Sequence, residues 1–237
     1  MAMATVVALG SGIAAWLTTG GGQARGAPLS DPSVYPPPAL HATPSTEVAA
    51  PTTTTTTTTT NPGSLSQTEA LPPTNSPPFQ SDMAALWKGV VSDSPTIALP
   101  AFFPEQAYEQ VKTITDAQGD YENRLVHDYS LDITAAHDLL GPDPSSAVLV
   151  DVEVPESDRH WVPPGVCDNR IGYFEVANSR VVYQQHGVTR SFGIASLISW
   201  RGVWYVVHLG AILRSSEIGV VEDPEVGTGY SAPSSTC

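Results

Sequence analysis

Apolar and polar residues change their rhythm twice along this chain. Residues 4 to 19, ATVVALGSGIAAWLTT, form an uncharged apolar run. No apolar pattern follows until Met83, Leu86, Trp87, Val90 and Val91 recur at helical spacing behind Asp82, which reads as an N-cap. Pro95 ends this first helix. A second is expected from Pro104 to Thr113, with Ala107, Tyr108, Val111 and Ile114 facing a core. The third and clearest runs from Tyr121 to Leu140 and stops at Gly141-Pro142. Tyr121, Leu125, Tyr129, Ile133, Ala136 and Leu140 make its stripe, Asp132 falls inside that stripe, and His137 lies at its edge.

After Gly141 the period drops from 3.6 to 2. Val148, Val150, Val152 and Val154 alternate with Leu149, Asp151 and Glu153, which predicts a strand with one buried face. Further strands are expected at 171–176 and 180–185, joined by a tight turn at Ala177-Asn178-Ser179. A long strand, 188–200, and a last one, 203–209, meet at Arg201-Gly202. Gly193 and Ser196 interrupt the long strand, as a bulge or bend would. Helices followed by an antiparallel meander define an α+β fold: N-terminal helices packed on a curved antiparallel sheet, a cone-shaped roll.

Composition supplies the domain plan. From Ala27 to Ser81, 32 of 55 residues are Pro, Ser or Thr and none is Lys or Arg; Thr52 to Thr60 is an unbroken threonine run. Such a segment buries too little apolar surface to offset an ordering entropy of roughly 1–2 kcal/mol per residue. The expected organisation is residues 1–24 as signal peptide or membrane anchor, 25–81 as a disordered Pro/Ser/Thr-rich linker, 82–221 as the α+β roll, and 222–237 as a flexible tail. The apolar run ahead of Gly22-Gln23-Ala24 has the small residues of a signal-peptidase site, and an uncleaved single anchor is the alternative. Either places the domain outside the cytoplasm, secreted or on the cell surface. The threonine run is either a product of simple repeat slippage or an O-glycosylated spacer.

Charge removes some classes of partner. From Ser81 onward the chain has 21 acidic and 9 basic residues, a balance of −12, with no Lys/Arg cluster to displace counterions from phosphates. Nucleic acid is therefore not an expected partner. Cys167 and Cys237 are the only cysteines, too few for a Cys-based zinc site. Free thiols are the expectation, and a bridge between them would tie down the tail. No metal or cofactor motif is present: the histidines are scattered, and there is no HExxH, GxSxG, Walker loop or GxGxxG. Trp161 beside Pro163-Pro164 reads as the cover of a core edge, or as an aromatic platform.

The stretch ALWKGVVSDSPTIALPAFFPEQAY, the long helix after it, and a meander closing on SWRGVWYVVHLG resemble the nuclear transport factor 2-like (cystatin-like) superfamily of α+β rolls. TRSFGIASLISWRG and WVPPGVC are also similar to uncharacterised exported actinobacterial proteins. The resemblance implies a pocket between sheet and helices, but supplies no catalytic residue. Polar residues expected to face that pocket are Asp132 and His137 from the third helix, Tyr173 from the second strand, Arg190 from the long strand and His208 from the last. Two functions follow. One is a non-catalytic module binding a ligand or protein of the cell envelope, with dimerisation through the sheet as a further option. The other is a small lyase, isomerase or hydrolase using an Asp–His acid–base pair, with Arg190 holding an anion.

Overall fold

The computed structural model describes residues 61–214 and 217–230. The leader, the threonine run and most of the expected linker lie outside them. The domain is α+β. Its helices are α1 (Pro77–Val91), the single turn α2 (Pro95–Ala98), α3 (Glu105–Val111), the single turn α4 (Ala117–Asp120) and α5 (Val126–Asp138). Its strands are β1 (Val148–Glu153), β2 (His160–Val162), β3 (Tyr173–Val176), β4 (Ser179–Gln185), β5 (Val188–Ile194), β6 (Ser196–Trp200), β7 (Val203–His208) and β8 (Glu222–Val226). They form two four-stranded antiparallel sheets, ordered β1-β4-β5-β8 and β2-β3-β6-β7.

The first helix starts at Pro77, five residues before the expected Asp82. Ser76 is its N-cap, with Oγ accepting from Phe79 N–H, and the two prolines occupy the first turn, where a missing N–H costs nothing. Phe79 is fully buried. The domain boundary expected at residue 81 thus falls inside α1. Residues 61–76 also run along the domain. The Trp200 and Trp204 indoles donate to Pro62 O and Pro72 O, Gln110 donates to Gly63 O, and Gln67 donates to Ser199 O.

The expected third helix winds in three parts. The α4 turn passes into a π-helical segment, Tyr121–Leu125, and then into α5. Insertions of this kind inside helices re-aim the side chains around them.

The strands depart from the alternation in informative places. Val148 and Val150 are exposed, at 62% and 61%, whereas Val152 and Val154 are buried. A register shift between Leu149 and Asp151 exchanges the faces, so Leu149 packs inward instead. The turn Ala177-Asn178-Ser179 does not close a hairpin. β3 and β4 belong to different sheets, and Asn178, at φ 60°, redirects the chain between them. True hairpins form at His186-Gly187 and Arg201-Gly202, where both central residues have positive φ, as two-residue turns compatible with strand twist require. The long strand divides at Ala195 into β5 and β6, which join different sheets. β8 opens what was expected to be a flexible tail, pairing with β5.

The core fills the space between helices and sheets. Met83, Leu86 and Val90 of α1 and Tyr129, Ile133 and Ala136 of α5 pack with Val181, Phe192, Ile194 and Val206. Phe102 stacks on Tyr129 at 4.2 Å between centroids, and Phe103 meets Trp200 edge-on at 5.9 Å.

Candidate functional site

A cavity of about 210 Å3 opens between the β2-β3-β6-β7 sheet and the helices. The sheet contributes Tyr173 and Glu175 of β3, Ser196 and Ile198 of β6, and Val207 and His208 of β7. Residues two apart on a strand share a face, and so do residues directly opposite in register, which places Glu175 beside Ile198 and Ser196 beside His208. Val207 and His208 are consecutive and should point to opposite faces. The bulge opposite Ser196 and Leu197 removes Val207 from the pairing, so both neighbours line the cavity. From the helical side come Tyr108 and Lys112 at the end of α3, and Arg124 and Leu125 from the π segment.

Three polar arrangements stand in this mostly apolar wall. Lys112 Nζ donates to Cys167 O at 2.8 Å, and burial pulls its pKa below the usual lysine value. Arg124 holds Asp120 through Nε at 2.7 Å, and the Tyr108 hydroxyl donates to the same carboxylate. Arg124 keeps the Asp120 pKa low, and burial pushes the Tyr108 pKa up. Glu175, 3% exposed, accepts from Ser196 Oγ at 3.1 Å and has His160 Nε2 at 3.6 Å from its other oxygen. The His208 ring has no hydrogen-bond partner among the described residues. Burial lowers its pKa to about 4, so the ring is neutral at pH 7.

Tyr173 and His208 therefore stand in the cavity as expected. Burial raises the Tyr173 pKa to about 12 and keeps its phenol protonated. The other three candidates are elsewhere. Asp132 is buried and accepts four hydrogen bonds: two from Arg214, one from Gly210 N–H and one from Val220 N–H, at 2.8–3.0 Å. It fastens Gly210, Arg214 and Val220 to α5. His137 Nδ1 lies 2.8 Å from Val90 O and ties α5 to the end of α1. Arg190 is exposed on β5, in the other sheet. The expected Asp132–His pairing is absent, because both carboxylate oxygens are engaged by the C-terminal segment.

Lys112, Arg124, Glu175 and Ser196 were not anticipated. Glu175 had a signal, since it sits two residues from Tyr173 on a strand and so shares its face. The approach of Arg124 depends on a π turn that apolar periodicity does not encode.

Trp161 packs edge-on against Phe174 at 5.0 Å and over Gly172, where a Cβ would meet its ring at 2.4 Å; it covers a core edge. Cys167 is disulfide-bonded, correcting the free-thiol expectation; Cys237 lies outside the described residues. Among the described residues, no group of three His, Cys, Asp or Glu side chains converges to hold a metal ion, and no helix is long and apolar enough to cross a membrane.

No family model matches the chain, and neither the curated proteins nor the solved structures yield a match.

The cavity has a signature in pH-dependent stability. Between pH 4 and 6.5 the unfolded chain protonates His208 while the folded one does not, so this residue lowers stability as the medium is acidified. Asp82 on α1 has the opposite effect. Burial raises its pKa to about 6, so the folded protein keeps a proton that the unfolded chain loses, and stability falls as pH rises towards 6. The two contributions oppose each other in the same window. Denaturation of His208→Asn should show stability increasing relative to wild type between pH 6.5 and 4.5, by on the order of 2 kcal/mol. Asp82→Asn should show the reverse, by about 1 kcal/mol because the group is only half-buried. Parallel curves for all three proteins would remove the assignment.

Proposed function

We propose that the domain is a non-catalytic binding module whose cavity takes a small, mainly apolar molecule carrying a carbonyl or carboxylate. The observation that carries this is the lining itself. Phe103, Val111, Leu125, Ile198 and Val207 form an apolar wall around the Lys112 ammonium, the Arg124 guanidinium and the neutral, unpartnered His208 ring. Donors set in an apolar wall orient a ligand's acceptor while its body is desolvated. Asp132 is fully engaged in structure, which removes the acid–base pair that an enzyme reading started from. The order of helices and strands supports a roll of the nuclear transport factor 2-like type. The apolar run at 4–19 and the disulfide at Cys167 support export, because disulfides persist in oxidising compartments.

Titration with octanoate, followed by amide NMR, tests the reading. Shifts should cluster at Tyr173, Glu175, Ser196 and His208, and Lys112→Met should weaken binding about tenfold. Shifts absent from these residues, or an unchanged affinity in Lys112→Met, would sink it. A pocket enzyme remains a second reading on one observation: the buried Glu175 carboxylate shares the cavity with Lys112 and His208. Conversion of a bound carbonyl compound by wild type and not by Glu175→Gln would favour that reading over simple binding.

A further inference from the structure

A second groove, of about 550 Å3, shares no lining residue with the cavity and has a different chemistry. Its walls include the rings of Phe102, Tyr121 and Tyr205, with Pro100 and Pro104, and its charged residues are Asp82, Glu105 and Glu122; no Lys, Arg or His lines it. Negative charge alone would be unremarkable on a chain of formal charge −14. Two further observations set this groove apart. Tyr205 is 5% exposed, yet its hydroxyl has no hydrogen-bond partner among the described residues and is not sealed off, so it opens on the groove. The ring is buried while its oxygen stays open, which leaves the phenol free to pair with a ligand. Asp82 is half-buried without a cation or hydrogen-bond donor among the described residues, and its charge reaches Tyr205. By contrast, the Tyr121 hydroxyl in the same wall is satisfied by Phe103 O at 2.9 Å. Two polar groups without a protein partner among the described residues thus face one aromatic groove.

We propose that this groove binds an aliphatic polyamine, with ammonium groups at Asp82 and at Glu105 and Glu122 and its methylene stem across the Tyr121 and Tyr205 rings. An ammonium can take the place of water at both groups. It neutralises a carboxylate in a partly desolvated place, donates to the phenol oxygen, and is attracted by aromatic faces. The chain's own upstream segment does not suit the groove, because residues 27–81 contain no Lys or Arg. The site is separate from the cavity proposed above and does not depend on it.

The test is calorimetric titration of the full chain with spermidine in about 150 mM salt, where diffuse surface attraction is screened beyond roughly 8 Å. Wild type should bind at one saturable site. Asp82→Asn and Glu105→Gln should each weaken binding about tenfold, and Tyr205→Phe about threefold. Glu217→Gln, at a carboxylate outside the groove, should leave the affinity unchanged. Circular dichroism of each variant checks folding, and Glu105→Gln serves if Asp82→Asn proves unstable. No saturable binding by wild type, or equal weakening by Glu217→Gln, overturns the proposal, since the latter would reduce the effect to overall charge.

Discussion

Replacing Asp132 with alanine is expected to destabilise the domain by about 3–5 kcal/mol, read as a shift in the denaturation midpoint. The carboxylate is buried and accepts four hydrogen bonds, two from the Arg214 guanidinium, whose side chain is 11% exposed. Burial pushes the Asp132 pKa up, while Arg214 and the two N–H donors pull against it. Removing the carboxylate leaves a half-satisfied cation near Asp128 at 3.4 Å and two backbone donors without acceptors. The backbone there cannot close the gap, because it already presses on α5. A Cβ on Gly219 would lie 2.1 Å from Leu131 O, and one on Gly210 would lie 2.2 Å from Val220 O. Asp132→Asn should cost less, since an amide oxygen still accepts from one N–H. In Asp132→Leu with Arg214→Met, much of the loss should return, as no charge is left buried alone. Because Ile212 lines the cavity proposed to bind a ligand and lies close to Gly210 and Arg214, Asp132→Ala should also weaken octanoate binding. A loss below about 1 kcal/mol for Asp132→Ala would mean that Arg214 finds a replacement partner and that the segment is not held by this carboxylate.

That a lone acid on an apolar stripe marks something important was legible in the sequence; its partners were not. Arg214 lies 82 residues away, in a segment with no periodic pattern, and only tertiary folding brings the two together. The α+β class was legible because both hydrophobic periods are long and clean. The division into two sheets was not, because a kink at Asn178 and a break at Ala195 look the same in a linear pattern as a hairpin turn and a bulge. The same holds at the cavity. His208 and Tyr173 could be chosen as polar residues on strands, but period-2 reasoning assigns one face to His208 and the other to Val207. The bulge that aims both inward is a property of pairing with β6.

The composition boundary fails for a different reason, and this leads to the second large effect. A chain shortened to begin at Asn61 should fold cooperatively, whereas one beginning at Asp82, where the compositional signal places the domain, should not. Pro77-Pro78 resembles the extended prolines upstream, yet two prolines behind a serine equally describe a capped helix start. Deleting residues 61–81 removes that cap and the buried Phe79 side chain, the latter worth about 2–3 kcal/mol. It also removes the acceptors for Trp200, Trp204 and Gln110 and the contacts of Gln67 with Ser199 O and Arg201 N–H. At about 1 kcal/mol for each hydrogen bond, the total approaches the 5–15 kcal/mol that holds a typical domain together. The indoles raise the cost further, since Trp200 and Trp204 are fully buried and would be left with donors facing apolar surroundings or opened to water. Far-UV and near-UV circular dichroism of the two shortened chains decides the matter. Native-like near-UV signal and a sharp thermal transition in the chain beginning at Asp82 would show that residues 61–81 merely lie on the surface; their loss would place the start of the folded unit some twenty residues inside the compositional stalk.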